Sequence, residues 1–193
     1  MEHVLKNKLV GIQNGTVVGL LRFLFLSRRA ARINWVRFGS FYGGWWIPSD
    51  FVNPRRDLTV ISAGIGFDVT FDKEILERGH RLIALDPIKE CQEFAVAELG
   101  NFESFTLIPA GLSVSTGRVD FARPSRDEHT SWTKPSKFAD QTSVSSFDVL
   151  GLSEVMLRSE VNPRTFWVLK MDIEGFELEV LETISELHNP PRA

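Results

Sequence analysis

The stretch Leu58-Thr-Val-Ile-Ser-Ala-Gly-Ile-Gly-Phe-Asp68 decides how the chain is read. Its first half, Leu58 to Ser62, is a short apolar run rich in β-branched residues, the pattern of a buried strand. Gly64 and Gly66 follow at once, where a strand must turn sharply into a helix. Phe71, Ile75 and Leu76 then recur at helical spacing, and Gly79 ends that helix.

Working outward, Arg81-Leu-Ile-Ala-Leu85 reads as a second strand that stops at Asp86-Pro87. A helix runs through Phe94, Ala95 and Leu99 to Gly100, and Phe102 to Ile108 makes a third strand. This β-α-β-α-β order predicts an α/β domain with a mostly parallel sheet and right-handed crossovers. Phe166-Trp-Val-Leu-Lys-Met171 is a fourth strand. The helix after it places Val180, Leu181, Ile184 and Leu187 on one face. Between them, Arg123 to Ser146 is rich in Ser, Thr, Pro and charge and reads as a long loop with room for a hairpin. Ahead of the decisive stretch, Phe38 to Pro48 interleaves aromatic residues with glycines and reads as short strands and a turn.

The chain has 193 residues, with 43% apolar and 24% charged side chains, ordinary values for a single globular domain. One cysteine, Cys91, excludes an intrachain disulfide and a four-cysteine zinc site, and a free thiol fits the cytoplasm. Charge is unevenly placed. Seven basic residues against one acid give Met1 to Phe38 a net +6, which leaves −9 for the rest of a chain whose total is −3. An acidic body argues against nucleic acid as a partner. The organisation expected is a basic amphipathic helical segment over residues 1–40 and an α/β domain over residues 41–193. The segment carries an apolar stretch from Leu9 to Leu26 that barely reaches spanning length and is interrupted by Gln13, Asn14 and Arg22, each costly in hydrocarbon, so no transmembrane helix is expected. It reads as a helix packed on its own domain, or as a peripheral membrane contact.

Three features can carry chemistry. The Gly64-Ile-Gly66 turn lets backbone approach a ligand and offers helix N–H groups to an anion, although such glycines also serve turns alone. Asp86 lies about 20 residues further on, where a nucleotide-binding fold places the carboxylate that accepts from ribose hydroxyls. Its structural alternative is a cap ahead of Pro87. Lys170-Met-Asp172-Ile-Glu174-Gly175 closes the fourth strand, at the sheet end where open α/β domains bind ligands. Lys170 and Asp172 share a side of that strand. Asp172 and Glu174 can orient an acceptor or act as a base. The alternative has both acids capping the next helix while Lys170 neutralises Asp172.

Taken together, Gly43-Gly-Trp-Trp-Ile-Pro48, Val60 to Asp68, Leu85-Asp-Pro87 and Leu169-Lys-Met-Asp-Ile-Glu-Gly-Phe-Glu177 resemble the FkbM family of methyltransferases. The Lys-x-Asp-x-Glu-Gly segment followed by Glu177 is the most specific part. The resemblance implies a Rossmann-like class I methyltransferase fold that uses S-adenosyl-L-methionine. It places Gly64 and Gly66 at the methionine end, Asp68 at the amino group and Asp86 at the ribose. The adenine falls near Pro87 and Ala110. It further implies catalytic roles for Lys170, Asp172 and Glu174, and a hydroxyl acceptor on a glycan, a lipid-linked sugar or a natural product.

Two features depart from the family. Ser62 stands where the glycine motif usually begins with an acid. The family also continues past the final helix, so a sheet truncated after its fourth core strand, with one open edge, is expected. A degenerate, non-catalytic binding module is the competing reading. A nicotinamide oxidoreductase is disfavoured because Asp68 occupies the place of the third glycine. His129 is a further candidate base, and Tyr42, Trp45 and Trp46 form either a substrate platform or a cover on the core.

Overall fold

The computed structural model describes residues 33–53, 55–122, 144–162, 165–173 and 175–184. The expected helix before residue 33, the segment 123–143 with His129, and Glu174 and Leu187 lie outside the described residues.

The chain opens with a hairpin of β1 (Trp35–Phe38) and β2 (Trp45–Pro48), antiparallel and registered Phe38 to Trp45. Its inner face buries Phe38 and Ile47 in the core. Residues 35–38 are thus strand, with Phe38 in the core, inside the stretch expected to be helical up to residue 40.

The sequence then alternates as predicted: β3 (Leu58–Ala63), α1 (Thr70–Glu77), β4 (Arg81–Leu85), α2 (Lys89–Leu99) and β5 (Phe105–Ile108). All six residues of β3 are buried, as a central parallel strand covered on both faces requires. Helix α1 buries Phe71, Ile75 and Leu76. It ends in a Schellman turn: Gly79, at φ +81°, donates to the Leu76 carbonyl at 2.9 Å and His80 to Ile75 at 3.3 Å. Strand β5 is shorter than expected. Phe102 accepts from the Phe105 N–H at 3.1 Å, so the first residues of the apolar run make a turn.

After β5 come β6 (Gly111–Ser113), β7 (Gly117–Ala122), β8 (Val144–Gly151), α3 (Leu152–Arg158), β9 (Phe166–Met171) and α4 (Glu177–Ile184). The main sheet is fully parallel, in the order β5-β4-β3-β9. Helices α1 and α2 and the hairpin cover one face, around Val60, Leu82 and Ile75. Helices α3 and α4 cover the other, around Ile61, Ile83, Val155 and Val180. This is a Rossmann-like three-layer α/β architecture. Among the described residues β9 has a strand neighbour on one side only.

A second sheet, β6-β8-β7, was not foreseen. Strands β7 and β8 pair antiparallel from Gly117–Val149 to Ala122–Val144, so they flank the segment read as a long loop. Val144, Ser145 and Ser146, expected in that loop, belong to β8. Among the described residues no helix is long and apolar enough to cross a membrane.

Candidate cofactor site

The strand order fixes where the site lies. From β3 the chain proceeds to β4 and β5 on one side and returns to β9 on the other. That reversal is a topological switch point, and its crevice opens at the carboxyl ends of the strands. The registers Ala63–Leu85 and Ala63–Met171 bring the next residues, Gly64, Asp86 and Asp172, side by side. Two further bonds extend the ladders into the loops: Gly64 N–H to Leu85 carbonyl at 2.9 Å, and Asp172 N–H to Ala63 carbonyl at 3.0 Å.

Gly64 is obligatory for this approach. Its φ is +74°, and a Cβ there would lie 1.8 Å from the Asp172 carbonyl oxygen. Gly66, at φ +56°, faces open space, so its backbone is free to meet a ligand. Both glycines line a cavity with Asp68, Asp86, Pro87, Lys170 and Asp172.

Asp86 is only 4% exposed and holds the turn in shape. One carboxylate oxygen accepts from Gly66 N–H at 3.0 Å and the other from Ile88 N–H at 2.9 Å. Burial raises its pKa, opposed by those N–H donors and by Lys170. With the Ile65 N–H also turned toward it, the carboxylate keeps some acceptor capacity for a ligand hydroxyl. Asp68 is used differently. It accepts from Gly43 N–H and Thr70 N–H, each at 3.1 Å, and from the Ser40 and Thr70 hydroxyls. It therefore ties the hairpin loop to the start of α1. Burial acts to raise its pKa, but those bonds prevail and hold the carboxyl below its ordinary value.

Lys170 is 7% exposed and donates to the Gly64 carbonyl at 2.9 Å, with its ammonium 5.8 Å from the Trp45 ring centroid. Its charge is aimed under the turn rather than into solvent. Asp172 is exposed at the cavity wall. Glu177, the first residue of α4, accepts from Ile173 N–H and Gly175 N–H, both at 2.9 Å, and so ties down the turn that leads from β9 into the helix.

Two expected cofactor residues stand back from the cavity. Ser62 is wholly buried beneath the turn, and Ala110 is 6% exposed, with its neighbours Gly111 and Leu112 forming the wall instead. Of the three aromatic candidates, Tyr42 and Trp45 line the cavity. Trp46 projects from the opposite face of the hairpin, opposite Arg37. Phe121 and Phe176, which sequence reading missed, pack together at 5.2 Å between ring centroids and close one side. Phe176 had a signal, since it sits inside the Glu-Gly-Phe-Glu segment. Phe121 had none. Among the described residues no group of three or more His, Cys, Asp or Glu side chains is placed to hold a metal ion.

Cys91 also lines the cavity, but its thiol is pushed up to about 12 by burial, then by the nearby Asp86 and Glu90 carboxylates. The thiolate is the reactive form, so alkylation of native protein at pH 8 should run at least on the order of a hundredfold slower than after unfolding. Mass-spectrometric timing of iodoacetamide labelling checks this, and equal rates in both states would contradict the burial of that thiol.

Fold and site together define an α/β nucleotide-type binding domain with its cavity at the sheet's switch point. A family model, the methyltransferase FkbM domain, matches residues 53–189, and the chain belongs to that family. No curated protein and no solved structure matches the chain. At family level the protein is a methyltransferase, and methyltransferases of this kind generally use S-adenosylmethionine.

Proposed function

We propose that this chain binds S-adenosylmethionine in the switch-point cavity and methylates a hydroxyl oxygen on a glycan, a lipid-linked sugar or a natural product. The observation that carries the reading is Asp86. It is a buried carboxylate at the end of β4, bonded to Gly66 N–H at 3.0 Å and facing the same cavity as that open glycine. A cofactor with a ribose meets a carboxylate acceptor there, and bare backbone at Gly66 leaves room for its amino-acid end.

The bound cofactor would supply an electrophilic methyl group on a sulfonium. The protein's own task is then alignment, water exclusion and proton removal. A hydroxyl acceptor has to lose its proton as the new carbon–oxygen bond forms. Asp172, exposed at the cavity wall on the strand end that also carries Lys170, is the described residue best placed to take it. Glu174, outside the described residues, is the other candidate. Tyr42 and Trp45 offer flat faces at the mouth, suited to stacking on a sugar ring.

Calorimetric titration of the purified chain with S-adenosylmethionine, with NAD as the control, tests the reading. Saturable micromolar binding of the first and none of the second is expected. Labelled methyl transfer to hydroxylated acceptors then separates an enzyme from a binding module. Folded protein that binds neither ligand would remove the basis for the proposal.

A further inference from the structure

Beneath the glycine turn the structure buries three polar side chains, Ser62, Asp72 and Lys170. Ser62 and Asp72 are each wholly buried. Ser62 Oγ and both carboxylate oxygens of Asp72 make no hydrogen bond of normal geometry, and the Ser62 hydroxyl reaches toward Asp72 only as a loose donor. Lys170 stands directly beside Ser62 in the β3–β9 register. Strand alternation puts Ser62 on the Val60 face of the sheet, the face that α1 covers with Phe71, Ile75 and Asp72. A carboxylate so poorly satisfied in such surroundings opposes folding. It makes no side-chain cap bond to α1, and the helix dipole offsets only part of that cost.

The explanation lies in what Lys170 does. Its ammonium holds the Gly64 carbonyl from below at 2.9 Å, which places a buried positive charge against the floor of the cavity. A sulfonium cofactor is itself cationic, and an uncompensated ammonium there would repel it. Burial pushes the carboxyls of both Asp72 and Asp86 above their ordinary value, and the Lys170 charge opposes that in each, foremost for Asp72. Asp86 is at the cavity and Asp72 is behind the turn.

We propose that Asp72 is a positioning residue whose buried charge compensates Lys170, so that an ammonium can brace the Gly64 turn without making the cavity reject a cationic cofactor. This rests on the reading that the cavity takes S-adenosylmethionine. It also gives a physical sense to Ser62: the acid absent from the end of β3 is supplied from α1, one layer deeper.

The test compares S-adenosylmethionine with S-adenosylhomocysteine, which has the same shape around a neutral sulfur. Asp72→Asn keeps the volume and removes the charge. It should weaken the sulfonium ligand about tenfold relative to the neutral one, the effect of a unit charge across ~10 Å at an effective dielectric of about 20. Lys170→Met should shift the same affinity ratio in the opposite direction, even if both ligands bind less well, and Asp72→Ser takes the place of Asp72→Asn if that variant fails to fold. A residue that only fills space would change both affinities together. An unchanged ratio in either folded variant overturns the proposal. Wild-type protein that binds neither ligand overturns the cofactor reading first, and that result is visible before any variant is compared.

Discussion

Gly64→Ala is expected to lower the melting temperature more than any other single-methyl change in the cavity. The residue sits at φ +74°, a conformation costing an alanine about 1–2 kcal/mol. The added Cβ would also lie 1.8 Å from the Asp172 carbonyl oxygen, so backbone on one side has to move. Neither side is loose. Gly64 N–H is bonded to Leu85 and Asp172 N–H to Ala63, at 2.9 and 3.0 Å, and Lys170 grips the Gly64 carbonyl. Forcing a well-packed site apart costs a further ~1–3 kcal/mol. For a chain of this length the sum corresponds to a fall of roughly 5–20 °C. Gly66→Ala is the matched control, because its Cβ would meet nothing within 4 Å and only the positive φ of +56° opposes it. Thermal unfolding followed by circular dichroism compares the two. If both variants melt alike, the close approach of the turn to β9 is wrong.

The parts of this fold legible in the sequence are those where burial on both faces leaves little choice. Strands β3 and β4 read as continuous apolar runs because helices cover them on each side. Gly79 marked its helix end because only a left-handed residue completes that turn. The second sheet was hidden for the opposite reason. In β8, Val144 to Phe147 alternate between exposed and half-buried, and the strand carries Ser145, Ser146 and Asp148, so its composition is that of a loop. Only Val149 and Leu150 are buried, too few to announce a strand. Its pairing with β7 joins residues as far apart as Gly117 and Val149, which no local pattern reports.

The site divides in the same way. Gly64, Gly66, Asp86 and Lys170 were legible because their spacing follows from strand–turn–helix geometry. Asp68 was legible as a residue but not in its use, since its hydrogen bonds run to Ser40 and Gly43 in a hairpin whose docking no local rule fixes. Phe121 and Asp72 were out of reach. One arrives from the second sheet, and the other looks like an ordinary acid in the first turn of α1 until the sheet beneath it is known.

Asp86→Ala should abolish measurable cofactor affinity at concentrations that saturate the wild type. The carboxylate has two duties, and the substitution ends both. Toward the ligand, losing a charge-assisted acceptor is worth about 1.5–3 kcal/mol, or roughly 10- to 150-fold in Kd. Toward the protein, Gly66 N–H and Ile88 N–H lose the oxygens that hold them at 3.0 and 2.9 Å. The turn that must present Gly66 is then no longer preorganised, and that ordering has to be supplied on binding. Asparagine is no rescue, since its one oxygen can meet only one of the two N–H groups and its amide nitrogen confronts the other. The stability cost runs the other way in part. Burial raises the Asp86 pKa, so ionised Asp86 is itself unfavourable at neutral pH, and removing it relieves that desolvation. The expected signature is therefore a large loss of affinity with a small change in melting temperature. Calorimetry beside thermal unfolding separates the terms. A variant that melts like the wild type and still binds S-adenosylmethionine within threefold would show that the ribose is held somewhere other than at the end of β4.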